Sequence, residues 1–174
     1  MSGLDAVKAG LVLALAALVQ VSIAGWIEVA EGRPDVVLVL LVSIALLRGP
    51  LFGAVAGFWA GLVLDVAALD TFGLTSLLLT VAGYWVGRFG EVTTRSSVHP
   101  PLIAVALATV GVSCASAVLH FMLGESMAAG EFFVGVLLPG LALNMLLAYP
   151  LYGLTSRLFP PPARVRRGEV SAAV

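Results

Sequence analysis

The chain has 174 residues, of which 60% are hydrophobic and only 11% charged, and its formal net charge is −1. A mean hydropathy of +1.09 is more apolar surface than a water-soluble domain of this length can cover. That composition excludes a soluble catalytic domain, and the near-neutral charge points to no nucleic-acid partner.

Six apolar stretches follow one another, roughly Asp5–Ile27, Pro34–Leu47, Leu51–Ala68, Thr71–Phe89, Pro101–Leu123 and Phe132–Leu158. At about 20 residues per crossing they consume almost everything up to residue 159. The expected fold class is therefore all-α: a six-helix transmembrane domain over residues 1–159 and a Pro/Arg-rich cytoplasmic tail over 160–174. The bilayer is its first partner.

Stretch one is rich in Ala, Leu and Val, with Gln20 as a polar interruption, and ends at Glu28, Glu31 and Gly32. Lys8 and Ser22-Ile23-Ala24 resemble a leader peptide and its cleavage site. The apolar run is longer than a leader needs and continues to Trp26, an interfacial anchor, so it is read as a span. Stretch two opens with Arg33-Pro34-Asp35, where a first-turn proline is tolerated. It is short: about 14 residues give about 21 Å of helix against a hydrocarbon core of about 30 Å. It either stands nearly upright on its flanking residues or forms one arm of a re-entrant pair. Arg48-Gly49-Pro50 makes a tight turn into stretch three, predicting an antiparallel hairpin.

Stretch three carries Gly49, Gly53, Gly57 and Gly61 at four-residue spacing, with Asp65 at the next step. Such a row forms a groove that admits another helix backbone, from this chain or from a partner. Because each step advances about 40°, the groove spirals and its two ends point to nearly opposite faces. Asp65 has two readings: a boundary carboxylate ending the span with Asp70, or a buried polar contact at the end of the groove. Gly83 and Gly87 repeat the device in stretch four, beside Tyr84, Trp85 and Arg88. Stretch five offers Thr109, Ser113, Cys114 and Ser116 as small contact residues, and His120 near its end as boundary or packing. Stretch six holds Pro139 and Pro150, expected to kink it, with Asn144 between them as interhelical glue.

The charges alternate by gap. Lys8, Arg48, Arg88, Arg95, Arg157, Arg164, Arg166 and Arg167 fall on one side of the threading, and Arg33 is the lone cation on the other, with Glu28, Glu31, Asp35, Asp65, Asp70, Glu125 and Glu131. The positive-inside rule then places both termini in the cytoplasm of a multi-pass protein of the cell membrane. No nucleophile–base set, phosphate loop or metal-spaced His/Cys cluster is legible, so no enzyme, cofactor or metal is expected. The lone Cys114 allows no intrachain disulfide.

Arg33-Pro34-Asp35, then Leu46-Leu47-Arg48-Gly49-Pro50, Gly53, Gly57-Phe58, Gly61-Leu62 and Asp65, resemble the rod shape-determining protein MreD family. Phe72-Gly73-Leu74, Gly83-Tyr84, Leu143-Asn144 and Tyr149-Pro150-Leu151 continue the likeness, whereas stretches one and five add almost nothing to it. The resemblance implies a non-enzymatic component of the elongasome, the machinery that extends the lateral wall of rod-shaped bacteria. Its implied partner is MreC, through which it would influence RodA, its class B penicillin-binding transpeptidase and, in step, the filament protein MreB. The implied fold is similar to the substrate-binding subunits of energy-coupling-factor vitamin transporters. A vitamin-binding subunit is the competing function. Ala6, Gly10 and Ala14 offer a small-residue stripe for docking a transport motor, but no polar–aromatic pocket set accompanies it.

Overall fold

The computed structural model describes residues 3–23, 34–69, 72–92, 99–124, 130 and 132–159. Helices α1 (Gly3–Ile23), α2 (Val36–Arg48), α3 (Pro50–Ala68), α4 (Leu74–Val92) and α5 (His99–Met122) follow in order. A π-helical turn, Phe132–Leu137, then runs into α6 (Leu138–Leu158). Among the described residues there is no strand. Trp26, Glu28, Glu31, Arg33, Asp70, Arg95, Glu125, Glu131 and the tail from Pro160 lie outside them.

Each of the six apolar stretches is helical, but not all are alike. Four are long and apolar enough to cross a membrane: Gly3–Ser22, Pro50–Ala68, Pro101–Met122 and Phe132–Leu158. Helix α2 is apolar but has only 13 residues. Helix α4 is long enough at 19 residues, yet Tyr84, Arg88, Glu91 and its glycines keep it out of that group.

Helix α2 is the axis of the molecule. Every residue from Val37 to Leu47 is buried, and α2 touches each of the other five helices. A helix apolar all round has no face to give to water, and here it is wrapped on every side. Its shortness matters less once protein rather than lipid surrounds it. Around it, α1 packs on α3, α3 on α4, α4 on α5 and α5 on α6. Outward surfaces are apolar too, with Leu4, Leu11, Trp59, Leu107 and Leu146 each more than half exposed. That pattern suits a molecule whose solvent is hydrocarbon.

The turns follow local chemistry. Gly49 has φ 93, a left-handed value that a side chain would strain, and so it ends α2 and lets Pro50 open α3 at once. The two prolines of α6 behave differently. Pro150 lies inside the helix, whereas Pro139 stands at the head of its α-helical part, directly after the π turn. At that position the missing N–H costs the α-helical part little, because a first-turn amide has no partner within it.

Charge segregates along the bundle. Asp5 pairs with Arg48 and Phe159 stacks on Arg48, so the start of α1, the end of α2 and the end of α6 share one end. Lys8, Arg48, Arg88 and Arg157 gather there with Asp5 and Glu91 among them, whereas the opposite end holds Asp35 and Asp65 and, among the described residues, no Lys or Arg.

Candidate functional site

The α3–α4 seam is built from absent side chains. A Cβ at Gly53 would collide with the Gly83 backbone, one at Gly57 with Leu79, one at Gly61 with Ser76, and one at Gly87 with Gly49 and Pro50. The two helices run antiparallel, and a four-residue row on α3 meets a four-residue row on α4 formed by Leu79, Gly83 and Gly87. Since both rows wind, the partner follows the spiral instead of losing it. The expected groove thus exists over Gly53, Gly57 and Gly61, and the chain's own α4 fills it. Of the two readings of the groove, this is the internal one. Gly49 forms the turn into α3 and also meets α4, where it lies against Gly87.

Asp65 is 2% exposed, which agrees with the reading of a buried polar contact at the end of the groove. Its carboxylate accepts from the backbone N–H of Gly73 at 2.8 Å, Thr75 at 3.2 Å and Ser76 at 3.3 Å. These amides open α4 and have no partner within that helix. The Ser76 hydroxyl donates to the Phe58 carbonyl at 2.9 Å, tying the first turn of α4 back to α3. Asp65 is the lock at the end of the glycine seam.

A second polar cluster surrounds the start of α2. Asp35 caps it, its carboxylate accepting from Leu38 N–H at 2.9 Å. Gln20 of α1 accepts from Val37 N–H at 2.9 Å. Asn144 of α6 accepts from Asp35 N–H at 2.7 Å and donates to the Thr109 hydroxyl of α5 at 3.1 Å. Four helices thus meet at one helix terminus, and three of its orphan donors are satisfied by side chains. The spacing of Gln20 and Thr109 carries no sequence signal, because their partners are a main-chain amide and a distant amide side chain. Lone polar residues deep in apolar runs are the mark they do leave.

Arg48 closes the other end of α2. It donates to Asp5 at 3.0 Å, with the two side chains 18% and 21% exposed, and its guanidinium lies 5.6 Å from the Phe159 ring centre. Its buried Nε has no hydrogen-bond partner. Of the remaining family-motif positions, Pro34 and Pro50 flank the two ends of α2 and Pro150 lies within α6, while Arg33 falls outside the described residues. Among the described residues no group of three or more His, Cys, Asp or Glu side chains could hold a metal ion. These polar sites are fasteners between helices, and apart from the Arg48 Nε their buried groups are bonded within the chain.

No curated protein and no solved structure matches the chain. The family model described as rod shape-determining protein MreD matches residues 6–159, a segment that holds the glycine seam, both ends of α2 and Asn144, and the chain therefore belongs to the MreD family of rod shape-determining membrane proteins.

Proposed function

We propose that the protein is a non-enzymatic integral membrane component of the elongasome that binds MreC and thereby helps regulate lateral peptidoglycan synthesis. The observation that carries this reading is the family match over residues 6–159. The fold supports it physically: the described residues are almost entirely helical, so lateral helix faces are the surfaces they offer. RodA, its class B penicillin-binding protein and MreB would be reached through MreC.

In this reading all six helices cross the cell membrane, including α2 and α4, and both termini face the cytoplasm. The one-ended gathering of Lys8, Arg48, Arg88 and Arg157 supports that orientation. The bundle is proposed to share the fold of the substrate-binding subunits of energy-coupling-factor transporters, with a protein rather than a vitamin as its partner. Because α4 occupies the glycine groove of α3, MreC would contact a different face.

Affinity-tagged protein solubilised from its native membranes should retain MreC, and depleting it should turn rods into spheres. If MreC is not retained and depleted cells stay rod-shaped, the reading is wrong. Reporter fusions at the two ends test the threading separately.

A further inference from the structure

The α3–α4 seam is closed by backbone contact, but the next seam is open. Between α4 and α5 lies a cleft of about 670 Å³, and every residue lining it is apolar. It runs from Leu77 to Phe89 on α4 and from Ala104 to Ala115 on α5, which is about 17 Å along the helix axes. That length is close to one leaflet of a hydrocarbon core about 30 Å thick. A helix crossing the bilayer would want a groove about twice as long. The shape therefore suits the acyl chains of a single lipid.

One end of the cleft is marked. Trp85 lines it there and is 68% exposed, the usual place for an indole at the headgroup level. Arg88 stands one helical turn beyond Trp85, on the same side of α4. Its NH1 donates to Glu91 at 2.9 Å, yet its side chain remains 55% exposed. A guanidinium has five N–H donors, and one acceptor fixes its plane without exhausting them. Cationic groups beside apolar clefts between membrane helices are suited to anionic headgroups.

We propose that the α4–α5 cleft binds one anionic glycerophospholipid, its acyl chains filling the cleft and its phosphate held by Arg88. Arg88 stands just beyond the Phe89 end of the cleft, so the lipid comes from the leaflet at that end. The inference goes beyond the partner reading above and does not depend on it.

The test uses the full chain with Trp26→Phe and Trp59→Phe, which leaves Trp85 as the single indole. The protein is reconstituted in phosphatidylcholine vesicles containing rising fractions of brominated phosphatidylglycerol or brominated phosphatidylcholine, and Trp85 fluorescence is read. Brominated phosphatidylglycerol should quench at about fivefold lower mole fraction than brominated phosphatidylcholine. Arg88→Gln should bring that ratio to about one with helix content unchanged, whereas Glu91→Gln should keep it. Gly111→Phe fills the cleft from a position where a Cβ meets nothing within 4 Å, and it should also abolish the preference. Equal quenching by the two lipids in the single-indole protein with Arg88 intact, or a preference that survives Arg88→Gln, overturns the proposal. So does quenching by neither, which would mean that something other than lipid covers Trp85.

Discussion

Asn144 uses both ends of one amide, accepting from Asp35 N–H and donating to Thr109, and it is 1% exposed. The two bonds are not equal. Without Asn144 the Asp35 amide becomes a donor in an apolar surround, a loss of about 1–3 kcal/mol. Without Thr109, Asn144 still holds α2, and membrane hydrogen bonds of that kind average about 0.6 kcal/mol. Asn144→Leu should therefore lower the thermal midpoint in detergent clearly more than Thr109→Val does. Equal losses would show that the bond between α5 and α6, not the α2 amide, is what Asn144 is for. Asp65 allows a parallel ranking. Its carboxylate serves three backbone amides, so Asp65→Ala should cost about 2–3 kcal/mol and Asp65→Asn, which keeps one acceptor oxygen, distinctly less. Chemical unfolding of the purified protein measures both. The polar identity of these residues was legible in the sequence as rare interruptions of apolar runs. Their partners were not, because a main-chain amide leaves no mark on the residue type that carries it.

Glycine at four-residue spacing is legible at the scale of one helix, but the row does not say what fills it. The reason is physical: a groove that admits a backbone is indifferent to whose backbone arrives. Sequence also offered no way to separate glycines that a neighbour requires from those that stand in the open. The structure does. A methyl group at Gly57 meets the Leu79 backbone, whereas one at Gly111 or Gly153 meets nothing within 4 Å. Gly57→Ala should therefore force α3 and α4 apart and lose several kcal/mol, as overpacking of a rigid backbone contact commonly costs about 1–3 kcal/mol or more. Gly111→Ala and Gly153→Ala should be neutral or gain up to about 1 kcal/mol from helix propensity. Thermal midpoints of the three variants, in one detergent, decide the matter. If Gly57→Ala is tolerated as well as Gly153→Ala, the seam is looser than described.

The whole molecule is fastened unevenly, and the unevenness has a pattern. On α1, Asp5 and Gln20 are fifteen residues apart, or about 22 Å, and each grips one end of α2. On α6, Asn144 and Phe159 are likewise fifteen apart, and they grip the same two ends. Helices α1, α2 and α6 are thus pinned together at both ends, while α3 and α4 form a pair zipped by backbone contact. The sequence foretold six helices, and the unbroken apolarity of α2 was the trace of its central place. It could not foretell that α1 and α6 clamp α2, since the pairings lie 17 and 43 residues apart for α1 and more than a hundred apart for α6.

The Arg48–Asp5 bridge tests that clamp. At 18% and 21% exposure the pair lies between surface bridges, worth about 0–1 kcal/mol, and buried ones, whose breakage from one side costs about 3–5 kcal/mol. Asp5→Asn removes the carboxylate to which Arg48 donates, and the Arg48 Nε already lacks a partner. A loss of about 2 kcal/mol is expected, between those two limits. Arg48→Gln should cost a similar amount, because it removes both the ion pair with Asp5 and the ring contact with Phe159. The double variant should recover part of the sum, giving a coupling energy of about 1 kcal/mol or more. Additive losses would mean that the charges do not hold α1 to α2, and the end of the clamp would then rest on Phe159 packing alone.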